Sequence, residues 1–172
     1  MSLISRLLRP APDPREALRP LWHDVVIVSR ERDWYASCGV ADSVDGRFDM
    51  IVLVLSLVLL RMEKNPSLTP QTALVTELFV ADMDRQLRET GVGDLMVGKR
   101  MGKIMSALGG RMGALREAMI ESDAKLAEIL ARNVALADEE KKPFHLAVRM
   151  RALHTDLAAQ TDEELLAGKV RP

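Results

Sequence analysis

The sequence predicts an all-α fold, a compact single-domain multi-helix bundle of about six to eight helices. Three observations carry that expectation. Aromatic residues make up 3% of the chain against 48% apolar overall, so the core must be built from Leu, Val, Ala and Met, a mixture that suits helix packing better than a sandwich or barrel. Apolar residues recur at three- and four-residue steps through most of the chain. Proline, glycine and capping residues fall between those runs, where helices start and stop.

Residues 1–14 read as an amphipathic segment and a Pro-rich linker, and residues 15–172 as the helical domain. Leu3, Ile4, Leu7 and Leu8 share one helical face, and Pro10, Pro12 and Pro14 enforce extended chain after it. Leu18, Leu21, Trp22, Val25, Val26 and Ser29 then predict a helix from about Pro14 to Trp34, with Pro20 favouring a start near Arg19. Asp42–Gly46 is turn chemistry, and Asp45 is the expected cap of the apolar helix Met50–Leu60. Eleven helical residues rise about 16 Å against a bilayer core of roughly 30 Å, so that run is expected to be a buried central helix.

Asn65-Pro66 should end this helix, and Thr69-Pro70 should cap and open the next, with Leu74, Leu78, Val80 or Ala81, and Leu87 on its apolar face. Gly91 stops it. Asp94 is expected to cap a helix whose stripe is Met101, Ile104, Met105 and Leu108, broken by Gly109-Gly110. Helical periods continue through 111–121, 123–136 and 143–159, and Thr161 with Glu164 forms a capping box for a short last helix.

No residue constellation argues for catalysis. Gly93 to Lys99 has the glycine and lysine spacing of a phosphate-binding loop, but Arg100 stands where the magnesium-binding hydroxyl belongs, and a helix precedes it where a strand is needed. His145 and His154 are nine residues apart and fall on opposite helical faces, and His23 has no neighbour in sequence. Cys38, the single cysteine, has no flanking base and reads as an inert thiol in a reducing compartment. Asp82, Asp84 and Glu89 are expected to pair with Arg85 and Arg88. Neither a catalytic residue, a metal nor a cofactor is expected.

Net charge is −1, which removes whole-molecule attraction to nucleic acid and leaves no basis for specific DNA binding. Two local features remain. From Leu95 to Arg116 there is no acid, while Lys99, Arg100, Lys103, Arg111 and Arg116 are basic, a docking patch for phosphate or acidic surfaces. Six of the ten methionines lie between Met83 and Met119, and methionine either fills irregular core gaps or supplies an adaptable apolar contact. On the second reading Met83, Met101, Met105 and Met112 face a client, flanked by Lys99, Arg100, Lys103 and Arg111.

Against this background two blocks are specific. Trp34 to Asp49, with Tyr35, Gly39-Val40-Ala-Asp42 and Asp45-Gly46-Arg47-Phe48, resembles a signature of the ubiquinol–cytochrome c chaperone family. So does Glu77 to Asp94, with Phe79, Met83-Asp84, Leu87-Arg88-Glu89, Gly91 and Gly93-Asp94. Gly110-Arg111 and Arg132-Asn133 fit later elements, and the likeness covers roughly residues 18 to 170. Known members are all-helical assembly factors of respiratory complex III that bind newly made cytochrome b, near the ribosomal tunnel exit in mitochondria, with a small partner subunit. The resemblance implies the same here: a non-catalytic chaperone for nascent cytochrome b or another membrane-protein client, cytoplasmic or peripheral at the inner face of the membrane, in contact with ribosome or bilayer. The chain departs from the pattern at Val54, where members usually carry histidine, and at Leu115, where an aromatic often stands. The rival readings are a helical protein that handles haem or a small molecule, and a general interaction module.

Overall fold

The computed structural model describes residues 13–91, 93–137 and 142–171. The amphipathic segment expected at residues 1–9 lies outside them. Eight α-helices follow in order among the described residues: α1 Arg19–Ser29, α2 Arg32–Ala36, α3 Val44–Glu63, α4 Thr69–Glu89, α5 Asp94–Ala118, α6 Asp123–Asn133, α7 Lys142–Ala159 and α8 Asp162–Leu166. Short 3-10 turns at Pro14–Leu18 and Pro66–Leu68 precede α1 and α4. The described residues contain no strand, only one antiparallel bridge between Val40 and Leu136. The chain is thus an all-α single domain, as the residue spacing predicts.

Helix α3 is the axis of the molecule. Met50 to Leu59 are all buried, which is why its sequence shows no polar face. Four helices surround it: α1, α4, α5 and α7. The polar interruption is silenced locally, because Ser56 donates its hydroxyl hydrogen to the Val52 carbonyl at 2.7 Å. Helix α6 packs against α5 and α7, and the Trp22 ring of α1 meets Phe79 of α4 edge-on at 5.9 Å.

Several boundaries differ from the expected ones, each for a visible reason. The helix expected over 14–34 is three pieces. Pro14 opens a 3-10 turn, not extended linker, with Asp13 accepting from the Arg15 amide. Helix α1 ends at Ser29 because aromatic donors satisfy its last carbonyls: Trp34 Nε1 donates to Val28 O at 2.6 Å and the Tyr35 hydroxyl to Ser29 O at 2.8 Å. The cap of α3 is Ser43, which accepts from the Gly46 amide, and Asp45 only occupies the first turn. Thr69 does not cap α4: it sits inside the helix and donates to Pro66 O. The buried face of α4 is Val75, Leu78, Phe79 and Met83, one step rotated from the expected Leu74–Leu87 line. Gly91 stops the helix as expected, at φ +77°, where side-chain-bearing residues are strained.

Gly93, not Asp94, is the N-cap of α5, and Gly109-Gly110 does not break it. The helix runs 25 residues, taking in the start of the segment expected over 111–121. Each interior glycine costs about 1 kcal/mol relative to alanine, but Leu108, Leu115 and Ala118 bury against the core on either side, and that burial outweighs the loss. Helix α6 stops at Asn133, because residues 135–137 leave it to pair with the Gly39–Ala41 turn. The capping box forms as expected: Thr161 Oγ1 accepts from the Glu164 amide at 3.2 Å, and the Glu164 carboxylate accepts from the Thr161 amide at 3.1 Å.

Candidate functional site

Three helix ends and one long helix converge on a groove of about 540 Å³. The first turns of α3 supply Val44, Asp45, Arg47, Phe48 and Ile51; the end of α4 supplies Met83, Gln86, Leu87 and Thr90; the N-terminal half of α5 supplies Arg100, Lys103 and Ile104; and Arg30 closes one end. Its floor is apolar. Met83 and Ile51 are buried, while Phe48 and Ile104 are partly buried against the core. Its rim is cationic, and among the described residues Arg30, Arg100 and Lys103 form no ion pair. Arg47 pairs with Asp42 at 2.6 Å, which raises the guanidinium pKa and lowers that of the carboxyl. A second depression of about 590 Å³ continues past Arg30 and Arg47 to Arg32 and Tyr35, so the cationic rim extends beyond the groove.

The structure separates the residues that the sequence grouped. Of the expected basic patch, Arg100 and Lys103 line the groove, whereas Lys99 is exposed on α5 without lining it. Arg116 leaves the patch for an ion pair with Glu63 at 2.7 Å. Arg111 is not a surface cation at all. Its side chain is 12% exposed and pairs with Asp49, which is 11% exposed. It also donates to the Asn133 carbonyl at 2.7 Å and lies over the Phe48 ring, 5.8 Å from the centroid. Asp49 in turn accepts from the Ala135 amide at 2.9 Å. The correction has a simple cause: Arg111 falls on the α5 stripe that faces α3, where a carboxylate waits.

The methionines divide as well. Met83 is 4% exposed and belongs to the core, and only its edge shows in the groove floor. Met101 and Met112 are partly buried against the core, and Met105, on the same flank of α5, is 37% exposed. Leu95, 90% exposed, and Met96 are further exposed apolar residues of α5, Met96 on the face opposite Met105, nine residues away.

The signature residues hold the walls of the groove. Gly46 is required by contact: a Cβ there would sit 2.0 Å from the Ala41 carbonyl oxygen. Arg88 bridges Asp84, at 2.7 Å, and Asp94, tying the end of α4 to the start of α5, and these pairs raise the Arg88 pKa. Glu89 reaches only the edge of this network, 4.0 Å from Arg85, whose closer partner is Asp82. Val54 and Leu115, the two departures from the family pattern, are both buried in the core.

Gly93 to Lys99 is a helix cap and the first turns of α5, without a phosphate-cradling loop. Cys38 is buried, which pushes its thiol pKa upward. His145 and His154 lie on the same helix, the first exposed and the second partly buried. Among the described residues, no group of three or more His, Cys, Asp or Glu could hold a metal ion, and no helix is long and apolar enough to cross a membrane.

Comparison with known proteins gives this arrangement a context. No curated protein matches the chain. The crystal structure of the Cbp3 homolog from Brucella abortus superposes with a TM-score of 0.79 at 29% sequence identity, over 99% of this chain and 96% of that one. The family model for the ubiquinol-cytochrome C chaperone matches residues 36–172, which take in every residue that lines the groove except Arg30. The chain belongs to the ubiquinol-cytochrome C chaperone family.

Proposed function

We propose that this chain is a non-catalytic assembly factor that binds newly made cytochrome b and supports assembly of the ubiquinol–cytochrome c reductase complex. Family membership over residues 36–172 carries the reading. The groove supports it. A polytopic apolar chain that waits for its haems and partners is prone to aggregation, and a protein that shields it needs an adaptable apolar contact and no reactive group. The groove offers an apolar floor, and α5 exposes Leu95, Met96 and Met105 around its surface. The exposed cation Lys99 suits a ribosomal or anionic bilayer surface at the inner face of the membrane, and a small partner subunit would cover part of the exposed apolar surface.

The test is genetic. Deleting the gene should lower assembled complex III while leaving other respiratory complexes nearly intact, and cytochrome b should co-purify with the tagged protein during its synthesis. Normal complex III in the deletion strain would defeat the reading.

A further inference from the structure

The groove between the start of α3, the end of α4 and the first half of α5 has a charge pattern that specifies its occupant. Four cations, Arg30, Arg47, Arg100 and Lys103, stand around the apolar floor, and among the described residues Asp45 is the one carboxylate in the lining. Three of the four have no ionic partner among the described residues. Cations left uncompensated around an apolar slot repel one another, and a ligand that brings carboxylates relieves this. The walls are helices, and the floor is a row of side chains contributed by three of them. This is the setting in which an amphipathic helix docks through residues at three- and four-residue spacing.

We propose that the groove binds an amphipathic helix of a protein partner whose apolar stripe is flanked by acidic side chains. The stripe seats on Phe48, Met83, Leu87 and Ile104, and the flanking carboxylates meet Arg30 and Arg47 on one side and Arg100 and Lys103 on the other. This rests on the assembly-factor reading and narrows it, because it states which segment of a client or partner is held. A fully apolar transmembrane helix would leave Arg30, Arg100 and Lys103 desolvated and unpaired, and a basic one would be repelled.

The probes are three stapled helical peptides with the same leucine stripe, flanked by Glu, Gln or Lys, titrated against the full chain by fluorescence anisotropy. The Glu peptide should bind about tenfold more tightly than the Lys peptide, as expected of two or more partly exposed ion pairs, and the difference should shrink toward parity in 1 M salt, where the Debye length is about 3 Å. In the Arg100→Glu/Lys103→Glu variant the order should invert, with the melting temperature unchanged because both side chains are exposed. Equal binding of the three peptides, binding of none, preference for anionic vesicles with indifference to the peptides, or the same order in the variant would each overturn the inference. Complex III levels separate this from failure of the broader reading. If the deletion strain is deficient and the groove variant restores assembly, the groove inference alone fails; if the deletion strain is normal, the assembly-factor reading fails whatever the peptides do.

Discussion

The Asp49 carboxylate of α3 and the Arg111 guanidinium of α5 form a buried ion pair that joins three separate stretches of the family signature. Phe48-Asp49, Gly110-Arg111 and Arg132-Asn133 are far apart in sequence, and the pair with its bonds to Asn133 O and the Ala135 amide brings them together. The bridge between Val40 and Leu136 completes the clamp behind the groove. Removing one partner leaves the other charge buried and uncompensated. Arg111→Ala should therefore cost about 3–5 kcal/mol, read as a drop in the denaturation midpoint. A loss within about 0.5 kcal/mol, as for an ordinary surface residue, would return Arg111 to the docking patch.

The glycines should divide by environment. Gly46→Ala forces a Cβ onto the Ala41 carbonyl and should destabilise the start of α3. Gly109→Ala and Gly110→Ala meet open space inside a helix and should each stabilise by about 0.5–1 kcal/mol. Urea denaturation of the three variants checks both signs, and a stabilised Gly46→Ala would show that the close approach is absent.

Methionine truncation separates core from surface. Met83→Ala should cost about 2–5 kcal/mol, because it opens a cavity beneath the groove. Met105→Ala should change stability by no more than about 0.5 kcal/mol. If Met105 contacts a client, capture of cytochrome b falls in that variant although its melting curve matches the parent.

Stability should fall with acidity through His154. Desolvation first, then repulsion from Lys64 and Arg151, lowers its pKa below the ordinary 6.5. The unfolded chain therefore takes up the proton first, so the folded state is fully favoured above about pH 6.5 and loses stability as pH falls toward the depressed folded value. His154→Asn should flatten this part of the stability profile. An unchanged slope would place the titration elsewhere.

Cys38 should react with a thiol reagent only as fast as the protein opens, because it is buried and its thiolate is disfavoured. Labelling at several denaturant concentrations should track global unfolding. Rapid labelling of the native protein would contradict the packing of the turn that follows α2.

Much of the architecture can be read from local pattern, because local physics makes it. The apolar run of α3, the stop at Gly91 and the capping box at Thr161 depend on residues within a few positions of one another. Pairing of Asp82 and Asp84 with Arg85 and Arg88 is likewise a matter of one helical turn. The family blocks were legible for the same reason, being contiguous.

What the tertiary structure alone decided is the direction in which each side chain of α5 faces. Lys99, Arg100, Lys103 and Arg111 look alike as a basic run, but one is exposed outside the groove, two line it, and the last is held by a carboxylate 62 residues away. Gly109-Gly110 carries a strong local signal to break the helix, and burial of Leu108 and Leu115 against α3 overrules it. Periodicity gives the turn of a helix; its rotation about its own axis follows from what it packs against, because buried area and paired charge outweigh the small propensities of single residues.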